Sequence, residues 1–197
     1  MMKYMLLIIP LLLAGCEETA APPAGVSANP PLIVAAEQGD LTEIDRLLKI
    51  SGKVDVRDAC QWTPLMKAAL NGHASSVQRL LDRGALTDLG DKGGYTALML
   101  AASNNHADVV RMLLEYGANV NRVETTNGWT ALIWAAKRNH IKSVQLLLEQ
   151  GADPAIRDNN GLTALDWANN AGHEAMADLL RQERSLLPPT GNPVPDG

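Results

Sequence analysis

Apolar positions in this chain come in short paired bursts that recur. The block Thr63-Pro64-Leu65-Met66-Lys67-Ala68-Ala69 is followed after a break by Val77, Leu80 and Leu81 at three-and-four spacing. The same pairing returns from Thr96 to Ala102 with Val109, Val110, Leu113 and Leu114, and from Thr130 to Ala136 with Val144, Leu147 and Leu148. A fourth block runs Thr163-Ala164-Leu165-Asp166-Trp167-Ala168-Asn169, and the threonines lie 33, 34 and 33 residues apart. Each block predicts a helix start, because a threonine side chain satisfies free amides of the first turn and Pro64 stands where a missing N–H costs nothing. Each second run predicts a helix with one apolar stripe, stopped at Gly84, Gly117 or Gly151 where the chain turns left-handed. A unit this small cannot bury its own apolar face, so it is stable only when stacked on its neighbours.

A half unit precedes the first block, with Pro31 to Ala36 and then Leu41, Ile44, Leu47 and Leu48. In the last block Asn169 replaces the second alanine and Arg181 stands where Leu81, Leu114 and Leu148 stand earlier, which suits an end repeat whose outer face meets water. A histidine follows each threonine by ten residues, in Gly72-His73, Asn105-His106, Asn139-His140 and Gly172-His173. The period, the threonine-to-alanine blocks and these histidines resemble the ankyrin repeat over roughly residues 31–182. That resemblance implies an all-α ankyrin-repeat solenoid, each repeat a β-hairpin turn plus an antiparallel helix pair, with about four full repeats and an N-terminal capping half-repeat. The cap falls at 31–57 and the repeats at 58–90, 91–124, 125–157 and 158–182, about five stacked helical pairs and no other domain. It also implies that the histidines tie each inter-helix turn to its neighbour, and that a concave surface grips another protein.

Outside the repeats the chain reads as address and tether. Lys3 precedes an unbroken apolar run from Tyr4 to Leu13, too short to span a bilayer and of the size of a signal-peptide core, which makes residues 1–15 a signal peptide. The run ends in Leu13-Ala14-Gly15-Cys16, which resembles the lipobox of bacterial lipoproteins. That resemblance implies cleavage before Cys16, lipid on Cys16, and a lasting anchor from several acyl chains. Glu17, where retention at the inner membrane uses aspartate, favours the periplasmic face of the outer membrane. Residues 16–30, with Pro22, Pro23 and Pro30, predict a flexible tether. The proline-rich residues 183–197 predict a disordered tail.

The formal net charge of −5, one unit more negative without Lys3, argues against nucleic acid, whose binding needs a basic surface to displace counterions. If Cys16 carries lipid, Cys60 is the one thiol left, no internal disulfide can form, and its place at a hairpin tip predicts exposure. No histidine outside the repeat position remains as a general base. His173-Glu174 lacks the second histidine of a zinc-protease helix, since Ala177 stands there, and no nucleophile elbow or phosphate loop occurs. Asp58, Asp91 and Asp158 open successive hairpins and are expected to cap turns. The chain is therefore expected to be no enzyme, with no cofactor, catalytic residue or metal site.

In ankyrin repeats the residue before the threonine faces the concave surface, a column that here holds Trp62, Tyr95, Trp129 and Leu162. These residues are expected to form the recognition stripe that contacts the partner, since aromatics in register are the residues that most often anchor interfaces, with hairpin packing as the alternative. Trp134 and Trp167 are expected in the core between repeats. Gln61, Lys92, Asn127 and Asn160 at the tips, with Asn71, Asn104, Lys137 and Arg138 on the helices, form the polar frame, and Cys60 is a further candidate contact. The boundary Arg122-Val123-Glu124-Thr125-Thr126-Asn127-Gly128 is one residue longer than its neighbours and has no turn aspartate; it either projects into the groove or is a neutral insertion. The function this supports is a lipid-anchored periplasmic protein-binding module, monomeric alone, with an immunity protein against a periplasm-acting secreted effector as its concrete form. A periplasmic adaptor linked to catalase and peroxide resistance is the alternative, and an enzyme the contrasting class.

Overall fold

The structure, a computed structural model, describes residues 29–186. The signal peptide, Cys16, the tether up to residue 28 and the tail from residue 187 lie outside the described residues. Ten helices follow one another: α1 (Pro31–Gln38), α2 (Leu41–Ser51), α3 (Pro64–Leu70), α4 (Ala74–Asp82), α5 (Ala97–Ser103), α6 (Ala107–Glu115), α7 (Ala131–Lys137), α8 (Ile141–Glu149), α9 (Ala164–Asn170) and α10 (Glu174–Leu186). The last runs four residues past the expected repeat boundary, into the segment expected to be a tail. The odd-numbered helices pack in sequence as an inner layer, α1 on α3, α3 on α5, α5 on α7 and α7 on α9, while α2, α4, α6 and α8 stack as an outer layer. This is an all-α ankyrin solenoid of five helical pairs.

Local chemistry sets the helix limits as the sequence predicts. Thr63, Thr96, Thr130 and Thr163 accept the amides of Met66, Met99, Ile133 and Asp166, and Asp166 completes a reciprocal cap on the Thr163 amide. Gly84, Gly117 and Gly151 share φ of +81°, where any Cβ is strained. The core is a column of fully buried side chains, among them Leu65, Leu98 and Leu132 from the inner layer and Leu80, Leu113 and Leu147 from the outer. Each contributes about 1.5–3 kcal/mol on leaving water. At the C-terminal end Asn169 and Arg181 are exposed and bonded to each other at 3.0 Å, a polar end surface.

The histidines fasten one repeat to the one before it. Nε2 of His73, His106, His140 and His173 lies 3.0, 3.0, 3.1 and 3.2 Å from the carbonyl oxygens of Glu37, Leu70, Ser103 and Lys137. A second ladder runs through the loops: Asp55, Asp88 and Asn121 accept the amides of Leu86, Asn119 and Asp153, one repeat on in each case.

Candidate functional site

Between repeats the chain makes four short fingers that stand beside the inner helices. A backbone hydrogen bond closes the base of each: Asp58 N to Trp62 O at 3.2 Å, Asp91 N to Tyr95 O at 3.1 Å, Glu124 N to Trp129 O at 3.1 Å, and Asp158 N to Leu162 O at 2.9 Å. They are tight turns, and no strand is assigned among the described residues. Adjacent fingers are joined by the amides of Lys92, Thr125 and Asn159, which donate to the carbonyls of Cys60, Gly93 and Asn127.

The carboxylate at the base of each finger holds its turn. Oδ1 of Asp58, Asp91 and Asp158 accepts the amides two and four residues on, at 2.8–2.9 Å. In the longer third finger Glu124 does this work, accepting the amides of Thr126, Asn127 and Trp129 while only 1% exposed. The extra methylene of glutamate spans the extra residue, which is how the insertion is accommodated. The loop is tied on both sides: Thr125 bonds Gly93 O through its amide and hydroxyl, and Asn159 Nδ2 reaches Thr126 O.

The aromatic column is not an evenly exposed stripe. Trp62 and Trp129 are each 7% exposed and belong to the core, whereas Tyr95 and Leu162 are half-buried. Hairpin packing therefore accounts for the two tryptophans' placement, because each indole fills the angle between finger and inner helix. Trp134 is buried as expected, while Trp167 is half-buried. In the C-terminal half the rings form one cluster. Trp129 meets Trp134 edge-on at 4.5 Å and Trp167 edge-on at 5.2 Å, and Tyr95 leans on Trp134 at 5.9 Å, all within the range of favourable ring pairs.

One carboxylate organises that cluster. Oδ2 of Asp158 accepts both the Trp129 and the Trp167 indole N–H at 2.9 Å, so this 6% exposed side chain holds four donors from three segments. Burial works to raise its pKa, but the amides and two indoles outweigh it and leave it below the ordinary value. Trp134 Nε1, by contrast, is buried without an acceptor. Cations cover the rings: Lys137 Nζ lies 4.2 Å from the Trp129 ring centre and 4.1 Å from that of Trp167, and the Arg138 guanidinium is 5.7 Å from that of Trp134. Burial against the indoles, then the charge of Arg138, lowers the pKa of Lys137, partly offset by Asp158.

Of the other candidates, Lys92, Arg138, Asn160, Gln61 and Asn71 are exposed, and Lys137, Asn127 and Asn104 half-buried. Cys60 differs from expectation in being half-buried where exposure at a hairpin tip was expected. The sequence's other cysteine, Cys16, lies outside the described residues. No group of three or more His, Cys, Asp or Glu among the described residues is placed to hold a metal ion.

A comparison with curated proteins gives no match. A family model of ankyrin repeats matches residues 32–124 and 121–186. Together those segments take in most of the chain, the threonine caps, the histidine ladder and the finger geometry all lie within them, and the chain belongs to the ankyrin-repeat family, whose fold is a protein–protein interaction scaffold.

Proposed function

We propose that the chain is a membrane-tethered protein-binding module of the bacterial envelope, which grips its partner in the groove between the fingers and the inner helices α5, α7 and α9. The observation that carries this is the groove's C-terminal half, where half-buried Tyr95 and Trp167 and the buried Trp129 and Trp134 form one ring cluster covered by Lys137 and Arg138. Amphipathic rings and cations held in fixed rotamers are what binding hot spots are made of. The narrower form is an immunity protein that occludes a periplasm-acting secreted effector by stoichiometric binding in this groove. The location rests on the sequence alone, on Leu13-Ala14-Gly15-Cys16 after the apolar run.

A photo-crosslinking amino acid at Tyr95 should capture one protein from intact cells, and the same group at Arg111 on the outer helix α6 should not. Equal capture from both positions would remove the groove from the proposal. Labelled palmitate should enter the wild-type chain and not Cys16→Ser. A sulfur that carries lipid cannot also enter a disulfide. Intact mass of the purified chain therefore separates lipid on Cys16 from a bond between Cys16 and Cys60, and the latter would sink the anchor.

A further inference from the structure

We infer that the groove's partner presents an acidic segment, with a carboxylate received between Lys137 and Arg138 and an adjoining apolar side chain laid against Tyr95, Leu162 or Trp167. This rests on docking in the groove and adds the chemistry of what docks. The chain is acidic overall, at −5, yet its groove is not. The carboxylates that point toward the fingers are consumed: Asp58, Asp91, Glu124 and Asp158 each hold two or more amides of their own turn. Asp166 is engaged in the cap on Thr163, and Glu37 is taken by Lys67 at 3.0 Å.

The cations Lys137 and Arg138, beside these carboxylates, are not neutralised by them. Among the described residues, no carboxylate lies within ion-pair distance of either side chain, nor of Lys92 at the second finger's tip. On the outer helices Arg46, Arg79, Lys142 and Arg181 have such a partner, whereas among the described residues Lys49 and Arg111 do not. Lys137 is moreover held half-buried over two indole faces, where water screens it less than a surface lysine. The carboxylate whose charge acts on Lys137, that of Asp158, is bound at the indole N–H edges and by its own turn, with both oxygens occupied. Two neighbouring cations that repel each other gain from a shared anion, and arginine receives a carboxylate with two parallel N–H donors. The apolar rings beside them select a peptide over a simple ion.

The probe is a short fluorescein-labelled peptide of glutamates interrupted by leucines, titrated with the full-length chain in detergent and read by anisotropy, with a lysine–leucine peptide as its opposite. Saturable binding of the glutamate peptide is expected, with no binding of the lysine one, and sodium chloride should weaken it. Lys137→Gln or Arg138→Gln should each weaken binding roughly three- to fivefold and the pair about tenfold or more, with circular dichroism unchanged. Lys142→Gln should leave it alone. Equal binding by the double variant and the wild type, or equal binding of the two peptides, would overturn the inference. So would Lys137-dependent binding to phosphatidylglycerol vesicles without binding of the peptide, which would assign these cations to lipid. If the glutamate peptide fails while the crosslinker at Tyr95 still captures a protein, the acidic partner falls and the groove stands; if both fail, both fall.

Discussion

The two halves of the groove use the same repeat positions differently. In the N-terminal half Trp62 is buried, Lys67 lies 4.8 Å from its ring centre, and Glu37 of the preceding helix neutralises that lysine at 3.0 Å. In the C-terminal half Trp129 is equally buried, but Lys137 spans two indoles and has no carboxylate, and Arg138 stands beside it. The turn carboxylates differ in the same sense, Asp58 holding two amides and Asp158 two amides and two indoles. A repeat position thus fixes where a side chain sits, while the next repeat decides whether its charge is spent on stability or left available.

The largest test of this contrast removes the carboxylates. Asp158→Ala should cost about 3–5 kcal/mol, because four buried donors lose their acceptor at once, whereas Asp58→Ala should cost about 1–2 kcal/mol. Urea unfolding followed by circular dichroism measures both, and equal losses would erase the distinction. Acid sharpens it. Because the folded-state pKa of Asp158 is lowered, its carboxylate contributes stability fully above the unfolded value of about 3.9, and that contribution is lost as pH falls through the folded value. In melts followed by tryptophan fluorescence below about pH 4, Asp158→Asn should therefore show less pH dependence than the wild type.

Smaller effects separate the indoles. Trp129→Phe strips a hydrogen bond from Asp158 and leaves a void, a loss of about 2–3 kcal/mol. Trp134→Phe removes a donor that has no acceptor, so its loss should be about 1 kcal/mol or less, despite a similar change in volume. Thermal melts of the two variants side by side decide this, and a larger loss at Trp134 would refute it. The smallest effect is a gain. Gln61 holds φ of +67° in the first finger, where the other three fingers place Gly94, Gly128 and Gly161. Gln61→Gly should stabilise that finger by about 0.5–1 kcal/mol, readable as a small rise in Tm, and a fall in Tm would count against strain there.

Much of this architecture was legible because it is written in local rules. A threonine before an apolar block, a glycine after one and a histidine at fixed spacing each act within a turn or on the adjacent repeat, and all stand where the sequence puts them. The burial of Trp62 and Trp129 was not legible, since the same position is exposed or covered according to how closely the finger leans on its helix. Nor was the role of Glu124, because its function as a turn carboxylate shows only once the longer turn has been seen to need the longer side chain. The bond from Trp129 to Asp158 crosses 29 residues and no motif announces it. The charges of Lys137 and Arg138 were readable as residues, but that neither is neutralised is a fact of three dimensions.

The histidine ladder gives the molecule a direction. Every ring reaches back to a carbonyl about 36 residues earlier in the chain, never forward. The ring of His106 also lies against Gly72, where an added Cβ would come within 2.4 Å, so the earlier unit must already offer a bare backbone. A chain that emerges amino end first therefore brings each histidine toward an acceptor that is already present. This fastener, unlike the bond from Trp129 forward to Asp158, waits for no residue still to be made.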